Sequence, residues 1–163
     1  MEKKVIVLSL GGSLIIPDEI NTKYLKSFKK TILKNTSNYK FIVVCGGGNI
    51  ARKYISALKK VGMNTLFQSY AGISATRTNA RFMSYFFNQD QKRGIPKKIR
   101  EVKKYIKKYD IVFCGALEYR PNQTSDSTAS EIAKKFKCEF INLTDVNGLY
   151  DKNPKEFKNA KLI

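Results

Sequence analysis

Histidine is absent from this chain of 163 residues, and only 13 acidic residues stand against 31 lysines and arginines. Without histidine, the chain has no histidine general base, no Ser-His-Asp triad and no histidine metal ligand. Phosphoryl transfer survives this exclusion, because its catalysis depends mostly on positioning and on neutralising charge with backbone amides, Lys or Arg and a metal ion. The composition therefore leaves a phosphotransferase among the possible enzymes.

Cysteine and long apolar runs are also scarce. Cys45, Cys114 and Cys138 form no C-x-x-C pair, which favours free buried thiols in a reducing compartment over disulfides. No apolar run approaches the roughly 20 residues that a membrane helix needs, and the N-terminus lacks a signal-peptide pattern. We therefore expect a cytoplasmic protein that makes no contact with a membrane.

The excess of positive charge, +18 in total, is spread along the chain. Lysines such as Lys26, Lys29, Lys30 and Lys34 fall within helical stretches, a distribution typical of solvated helix faces. The same charge suits an acidic small molecule such as a nucleotide. Nucleic-acid binding is a rival interpretation, but no aromatic RNA-binding motif supports it, so we expect no specific nucleic-acid partner.

Short apolar runs alternate with amphipathic stretches throughout the chain. Nearly continuous apolar runs of this kind are typical of parallel strands covered on both faces. The predicted strands are Lys4–Leu10, Phe41–Cys45, Asp110–Cys114 and Glu139–Leu143. The first of them is expected to lie centrally in the sheet. Because no repeat or linker divides the chain, we predict one layered α/β domain over residues 1–163.

The helical pattern is less regular in two places. Between residues 64 and 81 no single element is defined, although Thr76–Met83 fits a helix that carries polar residues toward a site. Several side chains around residues 125–128 are able to cap a helix that continues through Phe136. Thr128 and Glu131 stand at capping-box spacing.

Two glycine turns follow the first two predicted strands, Leu10-Gly11-Gly12-Ser13 and Cys45-Gly46-Gly47-Gly48-Asn49. Glycines at strand ends leave backbone N–H groups free to face an anion, whereas a single such pair is equally well explained as a tight turn. Two pairs at the carboxyl ends of strands indicate a phosphate ligand. Neither pair matches the P-loop or the dinucleotide-binding motif. Arg52, predicted on the first helical turn after Gly48, either reaches that phosphate or lies on the surface.

Further motifs follow the glycine turns in a characteristic order. They are Gly72-Ile73, Thr76-Arg77-Thr78-Asn79-Ala80, Gln123-Thr124-Ser125-Asp126 and Leu143-Thr144-Asp145-Val146-Asn147-Gly148-Leu149-Tyr150 with Asn153-Pro154. This combination, from Val5 to Ile163, resembles the amino acid kinase superfamily and within it the archaeal-type UMP kinases. The resemblance implies a three-layer α/β/α sandwich with a mainly parallel sheet, and transfer of the ATP γ-phosphate to UMP. It further implies Mg²⁺ carried by the nucleotide phosphates and a homo-oligomer, often a hexamer.

The resemblance also implies roles for individual residues. Gly12, Arg52 and Asp126 are the expected catalytic residues, although from the sequence alone Asp126 is equally well explained as a helix cap. ATP is expected to contact Ser9, Leu10, Gly11, Gly12, Ser13, Gly48, Arg52, Thr144, Tyr150 and Asn153. UMP is expected to contact Gly47, Ser69, Gln123, Thr124 and Ser125. Arg77 and Asn79 are expected near the acceptor pocket, and no residue is expected to ligate a metal directly.

Three departures from the family pattern leave other interpretations open. Ser69 stands where the family often has an aspartate, and Asn153-Pro154 replaces a more usual Asp-Pro. The family's chain continues past the residues that match 159–163, through elements that complete its ATP-binding half, so we expect this chain to be truncated at its C-terminus. The alternatives are another phosphotransferase of the superfamily and a non-catalytic nucleotide-binding homologue.

Overall fold

The computed structural model describes residues 3–121, 123–148, 150–152 and 157–163. Its elements are β1 (Lys4–Leu10), α1 (Gly12–Ile15), α2 (Thr22–Asn35), β2 (Tyr39–Cys45), α3 (Gly48–Lys60), α4 (Thr65–Phe86), α5 (Ile99–Lys108), β3 (Ile111–Cys114), α6 (Ser125–Phe136) and β4 (Glu139–Leu143). The strands form one sheet in the order β3-β2-β1-β4. All three pairings are parallel, so the α/β fold with a central first strand is confirmed.

The register of the sheet brings the carboxyl ends of its strands to one edge. Leu10 of β1 pairs with Cys45 of β2 on one side and with Leu143 of β4 on the other. Cys114 of β3 pairs with Val44. Every loop that leaves a strand end therefore starts from the same edge, where ligands bind in open parallel sheets.

Helices cover both faces of the sheet and give the three expected layers. On one face, Leu25 and Phe28 of α2 and Met83 of α4 pack in a cluster with strand residues such as Val43. On the other face, α5 and α6 pack through residues such as Val102 and Ile132 against the opposite side of the strands. Alternate residues of β1, β2 and β3 feed the two clusters, which explains the near-continuous apolar runs of these strands. Strand β4 is largely exposed.

Helix α4 is much longer than the segment Thr76–Met83 suggested. It runs for 22 residues from an N-cap at Asn64, whose side chain accepts a hydrogen bond from the Phe67 amide. Its N-terminal half packs against α3, while its C-terminal half faces the sheet. Two different partners require two different apolar faces, so no single hydrophobic stripe marks the helix in the sequence.

The predicted cap of α6 is wrong. The N-cap is Thr124, one residue before the segment 125–128 in which the cap was expected, and a capping box joins its side chain to Ser127. The Thr128 hydroxyl instead donates to the Thr124 carbonyl, and Glu131 forms ion pairs with Arg120 and Lys135. The hydrogen bond from Lys135 is the main reason that the pKa of Glu131 is lowered.

The three cysteines are free thiols, as predicted. Cys45 and Cys114 are fully buried at the ends of β2 and β3, whereas Cys138 is half-buried. Burial raises the pKa of Cys114 to about 12 and also raises that of Cys45. Within the described residues, no helix combines the length and the apolar character needed to cross a membrane.

Candidate functional site

Backbone hydrogen bonds tie the loops at the carboxyl edge to one another. The Gly11 amide donates to the Leu143 carbonyl at the end of β4, over 2.9 Å. The Gly46 amide donates to the Leu10 carbonyl at the end of β1, also over 2.9 Å. The turns that leave β1 and β2 are thus fixed to neighbouring strand ends, which holds their remaining amides in place.

The two glycine turns pack directly against each other. A Cβ atom added at Gly12 would lie 2.0 Å from the Gly48 nitrogen, and one added at Gly46 would lie 2.4 Å from the Gly12 nitrogen. Gly48 also has a φ of +61°, a conformation that other residues rarely adopt. Only glycine fits at these positions, so the two turns form a single surface of closely spaced backbone.

Polar residues of α4 form hydrogen bonds with the loops that follow β2 and β3. The Asn79 amide donates to the Gly46 carbonyl over 2.7 Å, and both groups are buried. The Thr76 hydroxyl accepts from the Ala116 amide over 2.9 Å, directly after Gly115. The Arg77 guanidinium donates to the carbonyls of Ala116 and Leu117. These three polar residues of α4 therefore support the loops after β2 and β3.

Replacing Asn79 with Ala is expected to lower the free energy of unfolding by about 1–3 kcal/mol, because the Gly46 carbonyl loses its buried donor. Urea denaturation followed by circular dichroism measures this change. Asn35→Ala is the matched control, since the Asn35 amide donates to the Thr31 carbonyl on an exposed helix surface. An effect of Asn79→Ala as small as that of Asn35→Ala would contradict a supporting role.

Asp126 lies at the start of α6, and its carboxylate faces the end of β1. Its Oδ1 atom accepts a hydrogen bond of 2.5 Å from the hydroxyl of Ser9, a residue with no exposed surface. Asp126 itself is exposed. Two residues that lie 117 positions apart in the sequence thus meet beside the first glycine turn.

Of the residues expected to bind UMP, Gly47 is the N-cap of α3 in the second glycine turn. The remaining ones lie on α4 and around the start of α6. Ser125 is the first residue of α6, next to the N-cap Thr124. The Gln123 amide donates to Glu131, which fixes it along the side of α6. Ser69 lies in the first half of α4, where its hydroxyl donates to the Thr65 carbonyl. The rings of Tyr70 and Tyr119, 5.5 Å apart, link this part of α4 to the loop after β3.

The residues expected on the nucleoside side of ATP follow β4. Thr144 lines a cavity of about 360 Å³ together with Leu14 from the first glycine turn and the segment 146–148. Tyr150 is half-buried and forms a bridge with Leu162. Asn153 lies outside the described residues.

Arg52 is the fifth residue of α3, which begins at Gly48. It therefore lies on the second turn of the helix, and the prediction that it lies on the first turn is wrong. Its side chain is exposed. Asp126, by contrast, contacts the buried part of β1 through its hydrogen bond with Ser9.

The hydrogen-bond donors at this edge suit a phosphate group whose divalent cation is bound mainly by the phosphate itself. The glycine turns and the start of α6 offer backbone N–H groups, which favour phosphate. Within the described part of the chain, no group of three or more His, Cys, Asp or Glu residues is placed to hold a metal. The single carboxylate of Asp126 fits a divalent ion that is bound mainly by nucleotide phosphates.

Two contacts of this site escape sequence reasoning. Thr76 was not expected to hold a strand-end loop, although its position one residue before Arg77 in a polar helical segment was a signal for such a role. The bond between Ser9 and Asp126 has no sequence signal beyond a serine within an apolar strand.

Comparison with known proteins identifies relatives of nearly the whole chain. Residues 4–163 match the amino acid kinase family. A uridylate kinase of Thermoplasma volcanium is 36% identical over 157 residues, which are 96% of this chain and 67% of that protein. A uridylate kinase of Thermococcus kodakarensis is 31% identical, over 97% of this chain and 70% of its own. This chain therefore spans about two thirds of the length of these relatives.

Solved structures agree with the sequence matches. The crystal structure of a uridylate kinase from Archaeoglobus fulgidus superposes with a TM-score of 0.78 at 34% identity, over 96% of this chain and 71% of that one. A UMP kinase of Bacillus anthracis has a TM-score of 0.72 at 18% identity, a likeness of fold alone.

Proposed function

The chain belongs to the amino acid kinase family, and from this we propose that it is a UMP kinase that transfers the γ-phosphate of ATP to UMP. Uridylate kinases at 36% and 31% identity, matched over nearly the whole chain, support this activity. The observation that carries the proposal is the direct packing of Gly12 on Gly48, which joins two anion-binding turns at one edge of the sheet.

We assign the donor phosphates to the first glycine turn and the start of α3. Amides of Gly12, Ser13 and Gly48 hold the ATP phosphates, beside Gly11 and the end of β1 at Leu10. Arg52, on the second turn of α3, contributes positive charge on the side of the ATP phosphates. Thr144 and Tyr150 lie toward the nucleoside, where the cavity beside Leu14 offers room. The expected contact of Asn153 stays a prediction.

We assign the acceptor to the second glycine turn and the start of α6. Gly47, Thr124 and Ser125 hold the UMP phosphate, because the N-terminus of α6 favours negative charge. Gln123 and Ser69 border the same side. The reaction then breaks the bond between the γ-phosphorus and the bridging oxygen of ATP, whose electron pair leaves with ADP. A phosphate oxygen of UMP forms the new bond.

The protein stabilises this transfer through position and charge. Backbone amides at Gly12 offset the negative charge that is shared by the transferred group and its neighbours. Asp126 organises the cationic groups around the reacting phosphate. Mg²⁺, carried on the nucleotide phosphates, supplies further charge neutralisation when it is bound.

We also expect a single domain that assembles as a homo-oligomer, with a hexamer as the expected form. Large apolar side chains exposed on the pair of helices α3 and α4 support association, since such patches commonly mark protein interfaces. They include Tyr54, Val61, Phe67 and Tyr70, each between 49% and 67% exposed.

Incubation with Mg·ATP and a set of acceptors tests the activity. We expect ADP and UDP to form in equal amounts with UMP, and no turnover with glutamate, aspartate, carbamate or isopentenyl phosphate. Turnover of glutamate without that of UMP would assign the chain to another kinase of the same family. Calorimetric binding of UMP without ADP formation would instead identify a non-catalytic homologue.

A further inference from the structure

Ser9 is a polar residue within β1, whose last five residues are all buried. Its neighbours Leu8 and Leu10 are 4% and 0% exposed, and Ser9 itself is 0% exposed. A buried hydroxyl without a partner costs folding free energy, so its retention inside an apolar strand calls for a specific bond. That bond is the 2.5 Å contact from Ser9 Oγ to Asp126 Oδ1.

The geometry of β1 directs Ser9 toward the helix that carries Asp126. Side chains alternate across a strand, so Ser9 shares a face with Val7. Val7 belongs to the cluster in which α6 packs through Ala129 and Ile132. The Ser9 hydroxyl therefore lies beneath the first turn of α6, which carries the Asp126 side chain.

We propose that Ser9 is a positioning residue that holds the Asp126 carboxylate in one orientation at the end of β1. The hydroxyl donates to Oδ1, and a hydrogen bond to a charged acceptor is shorter and stronger than one to a neutral group. Because Ser9 has no exposed surface, we assign its hydroxyl to Asp126 rather than to ATP, the contact that the resemblance implied. This inference rests on the proposed function, which gives Asp126 its part in the transfer.

Position matters here because Asp126 is exposed on its outer side. An exposed carboxylate normally samples several rotamers, whereas catalysis by charge requires a fixed location. The Ser9 bond joins the carboxylate to β1, an inner strand of the sheet. It also ties the N-terminus of α6 to the residue that precedes Leu10 and the first glycine turn.

Ser9→Ala removes the hydroxyl and is expected to lower kcat for UMP phosphorylation about tenfold, with the KM values for UMP and ATP within twofold of the original. Ser9→Thr and Ser9→Val form a matched pair of the same shape that differs in the hydroxyl. We expect Ser9→Thr to have a kcat at least fivefold above that of Ser9→Val. This comparison holds even where the extra methyl group lowers the stability of both variants.

Thr128→Ala is the control for a purely structural effect. It also removes a buried hydroxyl, which is 2% exposed and bonds to the Thr124 carbonyl rather than to Asp126. We expect it to lower the melting temperature and leave kcat within twofold. Equal kcat values for Ser9→Thr and Ser9→Val, or a rise in KM alone, would overturn the proposal.

A second measurement separates this inference from the proposed function. With ¹³C-labelled aspartate, the carboxyl signal of Asp126 is assigned by its loss in Asp126→Asn. We expect that signal to shift or broaden in Ser9→Ala and Ser9→Val, and to stay in place in Ser9→Thr. A chain without UMP turnover that shows this pattern retains the positioning role and loses the assigned activity. An unchanged signal in Ser9→Ala would overturn the positioning role itself.

Discussion

Gly12→Ala is expected to lower the free energy of unfolding by at least about 3 kcal/mol, because its methyl group would meet backbone atoms of Gly48 and Gly46. A flexible side chain moves aside, but here the obstacles are the Gly48 nitrogen at 2.0 Å and its Cα at 2.6 Å. The two turns must separate to admit the methyl group. Since both turns hold phosphate in the proposed reaction, turnover of UMP should be lost together with stability.

Gly94→Ala is the matched control. A Cβ at Gly94 would meet the Tyr105 hydroxyl at 3.3 Å, the end of a side chain that is able to shift slightly. We expect a change in unfolding free energy below about 1 kcal/mol and unchanged activity. For both variants, urea denaturation measures the free energy of unfolding and ADP formation measures the activity with UMP. A Gly12→Ala variant as stable as Gly94→Ala would show that the turns do not pack as described.

Asp126→Asn is expected to lower kcat by a factor of about 100–1,000, the usual effect of removing one preorganised electrostatic group. The amide keeps the size of the carboxylate and an oxygen that accepts from Ser9, but it carries no charge. Helix α6 should persist, because the capping box of Thr124 and Ser127 is untouched. The lost interaction with the helix dipole costs about 0.3–1 kcal/mol of stability.

Steady-state kinetics with Mg·ATP and UMP measure this effect, with circular dichroism to check the fold. Glu118→Gln is the control, since Glu118 is an exposed acid on the neighbouring loop whose partner Lys98 lies 3.9 Å away. We expect its kcat to stay within twofold of the original. If Asp126→Asn kept full activity, Asp126 would serve only as an acidic residue in the first turn of α6, and the transfer would rely on other groups.

The sheet was predictable because its strands are short apolar runs separated by helical patterns, and β1, β2 and β3 are mostly buried. Each predicted strand lies within about two residues of the observed one, and β1 is central as expected. The helices were harder. The apolar residues of α4 divide between α3 and the sheet, and the cap of α6 depends on which of several hydroxyl groups bonds to the backbone. Such choices are made by tertiary contacts, which local patterns do not encode.

The site was predictable where a backbone requirement selects one residue type. Gly12, Gly46 and Gly48 are visible in the sequence because no other residue fits their turns. Side chains that act through distant partners were not visible. The place of Arg77 and Asn79 beside the acceptor stays a prediction, and the bonds by which they hold the loops after β3 and β2 had no signal in the sequence. Sequence distance hides such pairs, since any polar residue in a helix has many possible partners.

The contact between the two glycine turns also constrains how this protein is able to evolve. A side chain at position 12 requires a displaced start of α3, and one at position 46 requires a displaced Gly12. No single substitution at either position is therefore neutral, and a lineage that loses one glycine must rebuild the other turn. Among descendants that keep the activity, positions 12, 46 and 48 should remain fixed together while the surrounding surface lysines drift freely.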